Sequence, residues 1–325
     1  MSDRGRLTGR ARLDPGARER ILAAAAPAPA RSDTPPAGAG PSGMAELRAI
    51  ILDLQDAGAA ADTPADTTPP ARDDPAPPPD IEANWARLAT IPVDPGRMDD
   101  NLVITAARHD PAAGAFDVLR TRMVQAMADR GWRRVGITSP TKGCGKSFTA
   151  LNLAVTLSRY AGHRAVVLDL DLRAPALART LGMAAPGPVG DMLRGTVAPL
   201  DHLRRFAANA LNIGANVALG LNDRVEPYAA ELFQTRQMAQ VLARIEAELA
   251  PDLMLFDLPP ALAQDDVIAL APLYDCILMV VGGGATTPRE VRESLRRIGE
   301  DKPVLGMILN RGEGADGDAY RYAYY

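Results

Sequence analysis

The chain has 325 residues, 47% of them hydrophobic and 23% charged, with a formal net charge of -4. That length exceeds one average domain, and the composition can bury a core, so disorder throughout is excluded. The acidic balance offers no general attraction to nucleic acid or anionic lipid, which favour concentrated Lys and Arg, so no nucleic-acid partner is expected.

The opening residues are too polar for a signal peptide, and no run of 18 apolar residues follows. The two cysteines, Cys144 and Cys276, have neither disulfide-framework nor zinc-ligand spacing, which suits a reducing cytosol. Fifteen of the 28 prolines fall in the first 100 residues, among Ala, Asp, Gly and Thr. Such a composition cannot offset chain entropy by burial, so residues 1–110 are expected to form a long disordered arm. Within it, Leu47, Ile50, Ile51 and Leu54 follow the spacing of one apolar helix face, predicting a short amphipathic helix over 44–57.

From about Ala113 short apolar runs alternate with helical patterns. The runs are Arg134 to Ser139, Ala165 to Leu170, Leu253 to Leu258, Cys276 to Val281 and Val304 to Leu309. Continuous apolar runs are strands buried on both faces, so residues 111–311 are expected to form an α/β domain, a mainly parallel sheet flanked by helices.

The first run leads into Ser139–Ser147, SPTKGCGKS, and then a helical stretch. Gly-Lys-Ser at the start of a helix is the core of a phosphate-binding P-loop: backbone N–H groups from Gly143 through Cys144 and Gly145 to Lys146 curl around a phosphate, and the helix N-terminus adds positive potential. Lys146 is then placed for the β- and γ-phosphates and the Ser147 hydroxyl for Mg²⁺. Pro140 replaces the glycine that usually opens the motif. Two later runs end in carboxylates: Asp169 and Asp171 in AVVLDLDLRAP, and Asp257 in LMLFDLPPAL. These stand at the sheet edge where α/β proteins bind ligands.

The order SPTKGCGKS, VVLDLDLRAP, LMLFDLPP resembles the Walker A, A′ and B motifs of the bacterial tyrosine kinases (BY-kinases) of capsule and exopolysaccharide synthesis. The resemblance implies a three-layer, Rossmann-like P-loop NTPase fold with ATP and Mg²⁺ as cofactors. It implies that Lys146, Asp169 and Asp171 are catalytic, with the identity of the base open between the two aspartates, and that Ser147, Asp171 and Asp257 hold the metal. It implies nucleotide contacts from Thr141, Lys142, Gly143, Cys144, Gly145, Lys146, Ser147, Phe148, Arg173 and Asn310. Pro227 to Phe233 is similar to the family's segment opening the helix before Walker B, and Gly282 to Gly284 reads as a turn after a strand. Thr141 stands where Min- and Par-type ATPases carry a signature lysine.

The chain ends YRYAYY, placing four of its seven tyrosines in the last six residues after a Gly- and Asp-rich linker. Packing explains such a cluster poorly, so Tyr320, Tyr322, Tyr324 and Tyr325 are expected phosphorylation sites in a flexible tail spanning 312–325. The family's partners are a membrane adaptor of the polysaccharide co-polymerase class, further copies in a ring, and a cognate phosphatase. A cytoplasmic location with recruitment to the inner membrane follows from the resemblance. Relatives open the domain with E-x-x-R-x-x-R, whereas Gly114, Asp117 and Arg120 stand here, so only the last position matches. The alternative function is an ATP-binding scaffold or positioning switch of Min/Par type without kinase activity.

Overall fold

A computed structural model describes residues 48–50, 79–107, 112–160, 162–299 and 301–311. Among them runs a nine-stranded sheet in the order β1-β9-β8-β3-β7-β4-β6-β5-β2. The strands are β1 (Arg48–Ile50), β2 (Ala89–Ile91), β3 (Arg134–Thr138), β4 (Ala165–Asp169), β5 (Arg204–Phe206), β6 (Val217–Gly220), β7 (Leu253–Asp257), β8 (Cys276–Gly282) and β9 (Val304–Asn310). From β9 through β8, β3, β7 and β4 to β6 every pairing is parallel. Antiparallel pairs occur where β5 meets β6 and where β1 meets β9.

The five strands expected from apolar runs are present, each ending within a residue of its run, because each is buried along its length. Period-two alternation divides their side chains between two cores. Val166 and Leu168 of β4 join Met254, Phe256, Ile277 and Met279 on one face. Ala165 and Val167 join Val135, Ile137, Leu255 and Leu278 on the other, beneath α4 (Ala112–Asp129) and α5 (Lys146–Ser158). The chain leaves β3 toward β7, β4 and β6, then returns to place β8 and β9 on the other side of β3. Such a reversal opens a crevice at the carboxyl ends of the strands, where α/β ligands bind.

The expectation for residues 1–110 needs correction. Residues 81–107 fold as α1 (Ile81–Arg87), β2, α2 (Pro95–Asp100) and α3 (Ile104–Ala107), with Trp85, Leu88, Met98 and Val103 buried. Asp80 caps α1 through Ala83 N–H, and the Trp85 indole donates to Leu249 O at 2.8 Å, closing the C-terminus of the helix Arg236–Leu249. Asn152 of α5 binds Thr105, its Nδ2 also donating to Leu102 O, while Arg159 donates to the carbonyls of Thr105, Ala106 and Leu211. The proline-rich composition that suggested disorder ends before this segment, and long-range partners pay for its ordering. Arg48–Ile50, within the expected amphipathic helix, pairs as strand β1; the rest of that stretch lies outside the described residues. The tail tyrosines also lie outside them.

Among the described residues no helix is long and apolar enough to cross a membrane. In α4 the Arg120 guanidinium pairs with Asp117 at 3.1 Å and lies 5.4 Å from the Tyr160 ring centroid. Asp117, one of the two positions that depart from the family's pairing motif, is thus paired within the chain with Arg120, the position that matches.

Candidate functional site

The loop between β3 and α5 is rooted in the sheet. Thr138 Oγ1 donates to Pro259 O at 2.7 Å, and Ala261 and Leu262 N–H donate to Ser139 and Pro140 carbonyls. The segment from Pro259 to Leu262 therefore fastens the Asp257 strand end to the base of the loop. Gly143 and Gly145 adopt φ of +83° and +98°, the left-handed conformation glycine tolerates, and Gly145 forms the N-cap of α5. Asn310, at the end of β9, donates from Nδ2 to Cys144 O at 2.9 Å, leaving its Oδ1 buried without a partner.

A β-carbon on Gly145 would lie 2.0 Å from Asn310 Nδ2. We expect Gly145→Ala to lower nucleotide affinity by about 2–3 kcal/mol through strained φ and a displaced loop. Gly143→Ala meets nothing within 4 Å and should cost less, although its φ is also positive. Calorimetric titration of both variants checks the order; equal affinities would remove the close-packing argument.

Lys146, only 8% exposed, turns its ammonium to Asp171 Oδ2 at 2.7 Å and Asp257 Oδ1 at 3.5 Å, with Ser147 Oγ at 3.2 Å. Burial opposes its charge, but Asp257, Asp171 and Asp169 outweigh that and hold Lys146 above its ordinary value. Register places Asp169 directly beside Asp257 on neighbouring strand ends. Asp169 is fully buried: its Oδ2 accepts from Ala176 and Leu177 N–H, both at 3.1 Å, while Oδ1 has no partner. Burial and then the charge of Asp257 push Asp169 well above the usual carboxylate range. Burial raises Asp257 as well, and Lys146 and Ser147 offset this only in part.

Asp257 Oδ2 is buried without a hydrogen-bond partner. An orphaned carboxylate oxygen at the strand end, with the Ser147 hydroxyl nearby, fits a hard divalent cation. Among the described residues no group of three or more His, Cys, Asp and Glu is arranged for a metal.

The remaining sequence-selected residues have varied surroundings. Thr141 and Lys142 lie on the loop, half-buried and exposed. The Cys144 thiol lies against Thr141 O at 3.3 Å and Thr286 Oγ1 at 3.4 Å. Burial would raise its pKa, but bonds from Thr286 and Thr141 hold it below the ordinary value. Phe148 packs edge-on against Phe116 of α4, centroids 5.8 Å apart. Arg173 is engaged by Asp266, Nε to Oδ2 at 2.7 Å and Nη2 to Oδ1 at 3.0 Å, and donates from Nη1 to Pro227 O at 2.9 Å. The loop carrying Arg173 and the Pro227 segment therefore adjoin. Gly282 is the last residue of β8, and Gly283 and Gly284 lie in the expected turn after it.

Sequence reasoning missed Asp266 and Thr286. Asp266 carried no signal, being the second of two adjacent acids at the start of a short helix. Thr286 stands next to Thr287, whose capping box with Glu290 is visible as T-x-x-E and could have drawn attention to that turn.

Residues 135–320 match the family described as the CobQ/CobB/MinD/ParA nucleotide binding domain. EpsB of Ralstonia nicotianae, whose name is that of a tyrosine-protein kinase, is 29% identical over 261 residues, 76% of this chain and 33% of EpsB. The chain thus spans about a third of the length of the first curated relatives it matches. The tyrosine-protein kinase YwqD of Bacillus subtilis is 27% identical over 70% of this chain and 92% of its own. Among solved structures, the BceF tyrosine kinase domain is 26% identical with a TM-score of 0.54, covering 70% of this chain and 85% of that one. The kinase domain of Escherichia coli ETK is similar in fold, with a TM-score of 0.58 at 23% identity, covering 70% and 92%. These relatives carry the names the motif resemblance pointed to.

Proposed function

The chain belongs to the CobQ/CobB/MinD/ParA nucleotide binding domain family, and from that premise we propose that it is an ATP-dependent, autophosphorylating protein-tyrosine kinase regulating exopolysaccharide or capsule synthesis and export. The observation that carries the reading is one lysine, Lys146, bridging the Asp171 and Asp257 carboxylates at the root of a phosphate loop. Names of relatives add to it: tyrosine-protein kinases in EpsB and YwqD, and succinoglycan biosynthesis transport in ExoP of Rhizobium meliloti, 28% identical over 68% of this chain.

The backbone N–H groups from Gly143 to Lys146 bind the phosphates, and Lys146 exchanges its carboxylate partners for the β- and γ-phosphates. Ser147 and Asp257 would hold Mg²⁺, with Asp171 adjoining, and the ion would neutralise phosphate charge. Asn310, with an unpartnered buried oxygen, lies beside the loop for the adenine.

Asp169 has one oxygen committed to two backbone donors and is closed to solvent. Asp171 is freed when Lys146 moves, so Asp171 is the base. The tyrosine oxygen bonds to the γ-phosphorus as the bond to the ADP oxygen breaks, and the phenolic proton passes to Asp171. A phenol with pKa about 10 loses its proton as it attacks rather than beforehand.

The acceptors are Tyr320, Tyr322, Tyr324 and Tyr325 of a neighbouring copy, and a membrane adaptor of the co-polymerase class recruits the protein to the inner membrane. A cognate phosphatase reverses the modification. The residue span 312–325 serves as the tail, and residues 111–311 as the kinase domain, with 81–107 docked on it.

The test mixes a Lys146→Met protein carrying the tail with an active protein lacking residues 320–325, with Mg-ATP. Phosphotyrosine is expected on the inactive partner. Its absence where wild type labels itself rejects transfer between molecules; absence of any phosphotyrosine on wild type, with nucleotide bound, favours the scaffold or positioning-switch reading.

A further inference from the structure

Asp266 stands at the start of the short helix Asp266–Leu270 that follows β7, and its side chain is 2% exposed. A carboxylate so buried is costly unless its oxygens are matched. Both are, by the planar fork of Arg173, at 2.7 and 3.0 Å. The third guanidinium nitrogen reaches Pro227 O at 2.9 Å. A second bond joins the same two segments, from Glu226 N–H to Leu172 O at 2.9 Å. Leu172 and Arg173 directly follow Asp171, and the turn closes with Ala174 N–H donating to Asp171 O and Oδ1. Three separate segments thus meet at one guanidinium: the turn bearing Asp171, the Glu226–Pro227 segment, and the helix after Asp257.

Further contacts stiffen the middle segment. Arg194 pairs with Glu226, whose Oε1 accepts from Tyr228 N–H at 3.2 Å. Val225 and Tyr228 flank this anchored pair and are 58% and 69% exposed. Large apolar side chains held outward on a braced segment adjoining the Asp171 turn offer an approaching aromatic side chain a rigid surface.

We propose that Asp266 is a positioning residue for phosphoryl transfer, acting through Arg173 to fix the Asp171 turn against the Glu226–Tyr228 segment along which the acceptor tyrosine approaches. This rests on the kinase reading and deepens it. Asp266 touches neither nucleotide nor acceptor. Its effect is geometric: it sets where the Asp171 carboxylate stands once Lys146 has left it. A displacement of about 1 Å in such a group lowers turnover on the order of a hundredfold. Nucleotide affinity, set by the loop at Gly143–Ser147, is untouched.

The experiment compares wild type, Asp266→Asn, Asp266→Glu, Arg173→Gln and the double variant Arg173→Gln/Asp266→Asn in the full chain. Three readouts are taken: Mg-ATP affinity, phosphotyrosine formation with the acceptor concentration varied, and hydrogen exchange at the Glu226 amide. Asp266→Asn is expected to lower kcat by about tenfold to a hundredfold while nucleotide affinity stays within about twofold. Glu226 exchange should quicken, and Asp266→Glu should recover part of the activity. The double variant should be no worse than the poorer single one, because both remove the same link. Equal losses in affinity and turnover, additive losses in the double variant, or unchanged turnover with quickened exchange would each overturn the proposal. If wild type forms no phosphotyrosine, the kinase reading fails and takes the transfer role of Asp266 with it. The exchange arm still separates the two failures, since unchanged Glu226 exchange in Asp266→Asn refutes the clamp itself.

Discussion

Replacing Lys146 by Met is expected to lower phosphotyrosine formation about a thousandfold, the scale for a cation that stabilises a transferring phosphoryl group. Methionine keeps the unbranched apolar stem, one atom shorter, so the loop retains most of its packing while the charge is lost. The ammonium is nearly buried and stands between Asp171 and Asp257. Its removal leaves those carboxylates facing one another without compensation, which costs about 3–5 kcal/mol when one member of a buried ion pair is deleted. The thermal midpoint should therefore fall in the nucleotide-free protein, and circular dichroism establishes whether the variant is folded before activity is compared. A folded variant with turnover within tenfold of wild type would exclude Lys146 from the chemistry.

The second large effect is expected at Asp171. Asparagine preserves the shape and the acceptor for Ala174 N–H but can neither take a proton nor hold Lys146 by charge. Phosphotyrosine formation should fall about a hundredfold or more. Nucleotide affinity should hold or rise, because Lys146 no longer has to leave a carboxylate 2.7 Å away to reach a phosphate. Asp169→Asn should behave differently. Its Oδ2 accepts from Ala176 and Leu177 N–H, a role an amide oxygen also fills, so turnover should fall less than in Asp171→Asn. Parallel affinity and activity losses in Asp171→Asn would instead mark Asp171 as a binding group, and a selective kcat defect in Asp169→Asn would reverse the assignment of the base.

Glycine positions in the loop, the lysine and serine that follow, and the strand-end aspartates were all legible in the chain because their chemistry is local. A left-handed turn at Gly145 and a carboxylate closing an apolar run leave marks over a few residues. The five long parallel strands were legible for a related reason: burial on both faces demands unbroken apolar runs. Strands β2, β5 and β6 are three or four residues long at one side of the sheet, and nothing in Ala89–Ile91 or Arg204–Phe206 distinguishes a strand from a loop until a partner supplies the hydrogen bonds.

Sequence by itself determined the fold class, the phosphate loop and the set of acids at the strand ends, since each is written in contiguous residues whose backbone and burial needs are satisfied nearby. Only the tertiary structure decided that residues 81–107 belong to the folded body, because Trp85 finds its acceptor at Leu249 and Thr105 its partner at Asn152. It alone distinguished Asp169, closed in and bound to two amides, from Asp171, paired with Lys146. Asp266 likewise became visible only through its bond to Arg173, 93 residues away in the chain. The physical reason is that a buried polar group is defined by what satisfies it, and the partners of Trp85, Thr105, Asp171 and Asp266 are remote in sequence.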